Sequence, residues 1–302
     1  MTNNKEIPEL CFLAIQEGDS QSITDLKYAL ETHGFFSIIN HGLSTKLTDK
    51  CYELSKEFFD LDFQAKNKYS SVGYKGARGY TPIGIETAVG EEIPDQKEFW
   101  HHGPQINKTY NKKIPENITI EEVVGFNKYF DQLFVELNNI GSNVLSVIAS
   151  SINLHKDYFN PWVEKGNSLL RSIHYPPVNS HKNLHRARAH EDINLITLLI
   201  GAEEGGLEIL SKDNRWVKVK PSSNSIVCNI GDMMQLVTDS RLKSTTHRVI
   251  QDKNLKSKSR YSIPFFMHPS PDTLLKSVFN EHDKGVLAHD FLDERLKAIK
   301  LY

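Results

Sequence analysis

The chain of 302 residues has little cysteine, no excess of either charge and no long apolar run. Its three cysteines, Cys11, Cys51 and Cys228, are an odd number without CxxC spacing, which argues against a disulfide framework or a structural zinc knuckle and fits a reducing compartment. Lys and Arg total 36 against 38 Asp and Glu, a net charge of −2, so no global field draws the chain to nucleic acid or to an anionic membrane. The longest uncharged run, Leu137–Leu154, holds four Asn and four Ser and is too polar for a bilayer span. Residues Met1 to Leu10 lack the apolar stretch of a secretory signal. No internal repeat or low-complexity tract divides the chain. What remains is the composition of a globular protein, 39% hydrophobic and 25% charged, and the expectation is a cytoplasmic monomer or homodimer without a nucleic-acid or membrane partner.

Hydrophobic periodicity organises the first half around helices. Ile23, Leu26 and Leu30 recur at helical spacing between Asp19/Ser20 and Gly34, and Leu47, Cys51, Leu54 and Phe58 repeat the pattern after Ser44. Between them Phe35 to Asn40 is short, apolar and β-prone. Glycine and proline accumulate from Gly73 to Gly103, which predicts turns lying over something else and a candidate substrate loop in 73–103. Arg78, Tyr80 and Thr81 are its candidate lid residues. Lys97 to His101 carries Phe99 and Trp100, which read as packing residues. A Thr119-x-x-Glu122 capping box predicts a long helix from about Ile120, with Phe126, Phe130, Leu133, Leu137, Ile140, Val144 and Ile148 on one stripe.

Beyond Asn160-Pro161-Trp162 the pattern changes to short β-prone runs separated by turn residues: Ser168–Tyr175, Ala187–Gly201, Leu207–Leu210, Trp216–Lys220, Ser225–Ile230, Thr245–Ile250 and Arg260–Met267. Such spacing predicts a jelly-roll or barrel, and Ala288 to Ala298 reads as a final helix. The expected division is a region of helices and short strands over 1–118, a long helix over 119–165, a β-core over 166–270 and a tail with its helix over 271–302, all in one unit.

Within the β-core, His190-Glu191-Asp192 sets an imidazole and a carboxylate two residues apart, which on a strand puts them on one face. His247, 55 residues past Asp192 in another β-prone run, can supply a third ligand. Two imidazoles and one carboxylate on one face of an octahedral ion leave three positions open, the facial triad of non-haem Fe(II) sites, although Ni(II), Mn(II) or Zn(II) suit the same donors. His155-Lys156-Asp157 has the same tripeptide spacing but lies at a helix end, where residues two apart do not share a face. Thirteen residues beyond His247, Arg260-Tyr261-Ser262 puts a guanidinium and a hydroxyl on one strand face, a pair that can anchor an acid. Tyr175 is a candidate second donor. Arg186 and Arg188 alternate with His190 and are candidates for a substrate carboxylate or for a rim ion pair.

The segments AHEDINLITLL, GGLEIL, NIGDMMQLVTDSRLKSTTHRV and RYSIPFFMHP together resemble the catalytic barrel of the Fe(II)- and 2-oxoglutarate-dependent dioxygenases of the isopenicillin N synthase-like superfamily. GFFSIINHGLS and FFDLDFQAKNKY resemble that family's amino-terminal region, so the likeness covers nearly the whole chain. It implies a mainly β fold with α: a double-stranded β-helix, or jelly-roll, core buttressed by N-terminal helices, a long central helix and a C-terminal helix. It further implies iron on His190, Asp192 and His247, with Arg260 and Ser262 on the distal carboxylate of 2-oxoglutarate. Many plant members carry Asn-x-Tyr where this chain has Ile173-His174-Tyr175, so Tyr175 carries over and the Asn does not. The implied activity is oxidation, by hydroxylation or desaturation, of a small organic substrate by O₂, releasing succinate and CO₂. A carboxylate-bearing molecule is the candidate substrate and ascorbate the candidate reductant. A 2-oxoglutarate-independent oxidase of the isopenicillin N synthase or aminocyclopropane-carboxylate oxidase kind, using Arg260 and Ser262 on its substrate, stays open. So does a non-catalytic metal-dependent binding module, which the complete ligand set disfavours.

Overall fold

The computed structural model describes residues 7–74, 76–87, 92–177, 185–201, 205–250 and 258–299. The first half runs β1 (Glu9–Cys11), α1 (Phe12–Gln16), α2 (Ser20–Thr32), β2 (Phe35–Ile39), α3 (Thr45–Phe59), α4 (Phe63–Asn67), β3 (Gly79–Thr81), β4 (Glu98–His102) and α5 (Phe126–Ser151). The second half runs α6 (Asn160–Val163), β5 (Leu169–Tyr175), β6 (His185–His190), β7 (Ile196–Ile200), β8 (Leu207–Leu210), β9 (Trp216–Lys218), β10 (Ile226–Ile230) and α7 (Asp232–Val237). It ends with β11 (His247–Ile250), β12 (Arg260–Met267), β13 (Leu274–Leu275), β14 (Val286–Leu287) and α8 (Ala288–Ala298). Among the described residues no helix is long and apolar enough to cross a membrane.

Two sheets build the jelly-roll. The major one has eight strands in the order β1, β2, β10, β7, β12, β5, β4, β3, and the minor one has four in the order β6, β11, β8, β9. Side chains alternate across a strand, so each major-sheet strand feeds two cores. Phe35, Phe99, Ile173, Tyr175 and Val227 point inward and meet Ala187, Leu207, Ile209 and Val249 of the minor sheet. Their neighbours Phe36, Trp100, Leu170, Leu198, Cys228 and Phe265 point outward into a second core with the helices. There α5 lies across β5, β7 and β12, with its stripe from Phe126 to Ile148 buried. Gly141 lets the helix approach closely, because a Cβ there would stand 2.6 Å from Met267 Sδ.

Three expectations are corrected. The long helix starts at Phe126 rather than near Ile120, and Thr119-x-x-Glu122 does not cap it. Glu122 is engaged by Lys68 and Tyr69 instead, and Asn127 ties the preceding loop to the first turn by accepting from Ile120 N and donating to Ile118 O. Within 73–103, β3 and β4 are fully buried strands that extend the major sheet beyond β5, not turns lying over it. Glycine and proline density hid them because both strands are short. Ala187–Gly201, read as one run, is two strands in different sheets, and residues 191–195 cross between them.

That crossing is pinned by main-chain bonds from Gly231 N to Leu195 O, Asp232 N to Asp192 O and Met233 N to Ile193 O. Where the major sheet begins, Gly34 has φ +62° and a Cβ there would overlap the Lys243 carbonyl. Gly34→Ala is therefore expected to destabilise the fold by about 2 kcal/mol or more. The check is a lowered urea midpoint with an unchanged slope, and an unaltered midpoint refutes the constraint.

Candidate active site

The inner faces of β7 and β10, the crossing segment and the ends of β6 and β11 converge on one point. His190 ends β6 and His247 begins β11, directly opposite each other in register. Asp192 lies beyond the strand, so the period-two argument that joined it to His190 does not apply; the chain's turn toward the major sheet brings it in. One ligand atom from each of His190, Asp192 and His247 lies within 4.8 Å of the others. Asp192 Oδ1 stands 3.9 Å from His190 Nε2 and 3.7 Å from His247 Nε2, too far for direct hydrogen bonds.

Supporting bonds orient all three. Each imidazole Nδ1–H donates to a backbone carbonyl, His190 to Arg188 O at 2.6 Å and His247 to Thr245 O at 3.1 Å, which leaves Nε2 as the ring atom available to a metal. Asp192 Oδ2 accepts from Thr197 Oγ1 at 2.6 Å and Asn229 Nδ2 at 2.8 Å, leaving Oδ1 toward the imidazoles. Thr197 and Asn229 are paired in register on β7 and β10, so one rung of the major sheet holds the carboxylate. Burial, then the proximity of His247, pulls His190 below its usual range and keeps it neutral. Burial opposes the charge on Asp192, but the two histidines and the Asn229 and Thr197 bonds hold its carboxyl below the usual range. Two imidazoles beside an ionised carboxylate are a donor set that a divalent cation takes, displacing any proton on the rings as it binds.

Farther along the inner face, Arg260 and Tyr175 are paired in register between β12 and β5, and Ser262 faces Ile173. All three side chains are buried: Arg260 is 3%, Ser262 2% and Tyr175 3% exposed. The Arg260 guanidinium stands 5.2 Å from the Tyr175 ring, and its Nε and Nη1 have no hydrogen-bond partner among the described residues. A buried guanidinium without an acceptor is costly, and a carboxylate satisfies it.

A cavity of about 380 Å³ opens beside His190 and Asp192. Lys97 just before β4, His101 of β4, Arg171 of β5, Phe266 of β12, Arg78, Asn167 and His268 contribute to its wall, and Leu292, Arg295, Leu296 and Ile299 close it from the C-terminal helix and the residue after it. Its charges are mostly paired. Lys97 Nζ meets Glu86 at 2.5 Å and Asp95 at 2.9 Å, Arg171 meets Glu86 at 3.2 Å, and Arg295 pairs with Asp232 of α7. Burial opposes the charge on Glu86, but Arg171 and Lys97 hold it well below the usual carboxylate range. His101 donates from Nδ1 to Gly76 O and accepts from Arg171 Nε at 2.6 Å, so it is neutral, and burial lowers its pKa in agreement.

Of the substrate candidates, Arg78 lines this cavity, while Tyr80, Arg186 and Arg188 are not among its lining residues. Tyr80 pairs in register with outward-facing Trp100, and its hydroxyl donates to Glu98 Oε2 at 2.5 Å in a buried network with Lys66 and His174. The β6–β11 pairing slips between Ala187 and His190, a bulge, so alternation does not carry from Arg186 and Arg188 to His190. Arg186 is buried, donates to Lys258 O at 2.8 Å and lies 6.0 Å from the Tyr175 ring; the Arg188 backbone N–H donates to Asp95. Thr197, Asn229, Lys97, His101, Arg171 and His268 were not anticipated as site residues. Alternation from Phe99 and Ile173 could have assigned Lys97, His101 and Arg171 to the inner face.

A family model described as the 2OG-Fe(II) oxygenase superfamily matches residues 166–269, and one described as the non-haem dioxygenase in morphine synthesis N-terminal region matches residues 9–122. A Caulobacter crescentus protein solved as a member of the 2OG-Fe(II) oxygenase family is 35% identical, with 98% of this chain and 99% of that one covered at a TM-score of 0.89. A full-length Neurospora crassa protein, solved in complex with alpha-KG, is 25% identical over 99% of this chain and 98% of its own, at a TM-score of 0.85. The proline hydroxylase buaE of Petromyces alliaceus is 30% identical over 272 residues, 85% of this chain and 84% of that protein.

Proposed function

The chain belongs to the 2OG-Fe(II) oxygenase superfamily, and from that premise we propose that His190, Asp192 and His247 hold its iron while Arg260, Ser262 and Tyr175 hold the distal carboxylate of 2-oxoglutarate. The protein is an oxidoreductase, an Fe(II)- and 2-oxoglutarate-dependent dioxygenase that oxidises a small organic molecule. The observation that carries the assignment of residues is the orientation of Asp192. Thr197 and Asn229 occupy one carboxylate oxygen, and the other faces the Nε2 atoms of two imidazoles whose Nδ1 atoms are engaged by backbone carbonyls. That arrangement fits a divalent ion better than an ordinary buried ion pair, in which the histidines would be charged and in contact with the carboxylate.

Bound iron and 2-oxoglutarate supply the oxidising power for cleaving a substrate C–H bond, with O₂ consumed and succinate and CO₂ released. The chain's own part is positioning. In this reading Arg260 offers its unpartnered Nε–H and Nη1–H to the cosubstrate carboxylate, and Ser262 adds a hydroxyl. Phe35, Ile173, Leu207 and Val249 keep water from the space between the sheets. The cavity beside His190 and Asp192 receives the substrate, with the C-terminal helix as one wall. Hydroxylation or desaturation is the expected outcome, and three free cysteines support a reducing, cytoplasmic setting.

The test is succinate release. Purified protein with Fe(II), ascorbate, O₂ and 2-oxoglutarate is expected to form succinate, faster in the presence of a cognate small molecule. No succinate under a broad substrate screen would sink the proposal.

A further inference from the structure

Arg78 is 1% exposed and lines the substrate cavity, yet among the described residues no carboxylate pairs with it. Its contacts there are to neutral acceptors: Nη1 donates to Ala77 O at 2.6 Å, Nη2 reaches Asn167 Oδ1 at 3.4 Å, and Nε has no partner among the described residues. Burial pulls the guanidinium down to about 9, with no anion among the described residues to offset the effect, so it is still charged at neutral pH. The other cavity cations behave differently. Lys97, Arg171 and Arg295 each have a carboxylate partner.

The seat under Arg78 is built for it. A Cβ at Gly103 would overlap the guanidinium, so the group lies directly on the glycine backbone. Asn117 braces that backbone from both sides, accepting from Gly103 N at 2.6 Å and donating to Gly103 O at 2.9 Å. Asn167 is tied through its N–H to Pro269 O. His268, also on the cavity wall, lies within electrostatic reach of both Arg78 and Asp192 and has a buried Nδ1 without a partner. A buried guanidinium with an unengaged Nε–H is also what marks Arg260, the expected cosubstrate anchor.

We propose that Arg78 is the anion seat of the substrate cavity, and that the molecule oxidised here is a small monocarboxylic acid whose carboxylate docks on Arg78 while its apolar body reaches the triad. The inference rests on the assignment of the triad and cavity made above. One guanidinium balances one negative charge, so a monocarboxylate fits better than a phosphate dianion, and its two oxygens suit the planar fork. The apolar body fits because Leu169, Ile193 and Phe266 form one part of the wall and Leu292, Leu296 and Ile299 another.

The test titrates phenylacetate, cyclohexanecarboxylate and N-acetyl-L-leucine, each beside its primary amide, into the full chain loaded with Ni(II) and N-oxalylglycine. At least one acid is expected to bind about tenfold or more tightly than its amide, the yield of a charge-assisted pair. In R78Q that pair should converge to within about twofold, whereas R78K should keep the acid preference. If R78Q does not fold, G103A serves: displacing the guanidinium should weaken acid binding with Arg78 still present. An acid preference absent from the wild type, or one that survives R78Q and G103A, overturns the proposal. So does a preference lost in R260A and kept in R78Q, which would assign the acid to Arg260. Binding of Fe(II) and 2-oxoglutarate without any acid, followed by absorbance, tests the underlying function separately; its failure would remove that reading whatever the acid and amide ratios are.

Discussion

Asp192→Ala is expected to abolish metal binding and turnover together. Asp192 supplies the only carboxylate among the three convergent groups, and its Oδ1 faces the Nε2 atoms of both histidines. Without it, two imidazoles alone hold a divalent cation with no compensating negative charge, and affinity should fall by about two orders of magnitude or more. Titration with Co(II), followed by its visible absorbance, reads this independently of activity. The variant also takes the acceptor from the Asn229 amide and leaves the Thr197 hydroxyl only its longer bond to Asn194 Oδ1, a loss of about 1–3 kcal/mol, so the metal-free unfolding midpoint should drop modestly while the fold persists. Asn229→Ala provides the graded comparison. It keeps all three ligands but leaves Asp192 Oδ2 held by Thr197 alone, and should weaken the metal by about 10-fold or more. Wild-type metal affinity in D192A would remove the triad assignment.

The second large effect falls on the cosubstrate. Arg260→Ala deletes a buried guanidinium whose Nε and Nη1 have no other partner among the described residues, so its cost should appear where the missing anion binds. The concentration of 2-oxoglutarate needed for half-maximal succinate release should rise about 100-fold, with a smaller effect on the rate at saturation, because two charge-assisted bonds are lost. Ser262→Ala should raise it by about fivefold, as one neutral donor is removed. An unchanged 2-oxoglutarate requirement combined with lost affinity for the small-molecule substrate would instead mean that Arg260 grips the substrate, as in a 2-oxoglutarate-independent oxidase.

How much of this was legible depends on whether a feature is local. The stripe of α5, the strand Arg260–Met267 and the helix Ala288–Ala298 follow from periodicity, because one buried face imposes its repeat on the chain. The start of α5 did not follow. Its capping box competes with Tyr69 and Lys68, which are distant in sequence and claim Glu122. Strands β3 and β4 were hidden for a related reason. Both are short with glycine close by; β4 becomes a strand because β5 offers an edge for pairing, and β3 because β4 then offers the next.

The site divides in the same way. His190, Asp192 and His247 stood out from residue type and motif order, but the reason they meet differs from the one that spacing suggested. Period-two alternation would align His190 with Asp192 on one strand, and would carry Arg186 and Arg188 along. A bulge interrupts the strand and Asp192 lies beyond its end, so the carboxylate arrives through a crossing between sheets that Gly231 and Met233 hold by main-chain bonds. Tyr80 likewise turned outward because its register partner is Trp100.

By itself, then, the order of residues determined what depends on type and local repeat: an iron-oxygenase motif set, helices with apolar stripes, and a β-rich second half with too little net charge or cysteine to suggest other roles. Only the tertiary structure decided which cations are neutralised. Lys97, Arg171 and Arg295 each find a carboxylate contributed by another part of the chain, while Arg78 and Arg260 are buried without one among the described residues. Charge pairing and burial are relations between distant segments, and they exist only once the sheets have closed around them.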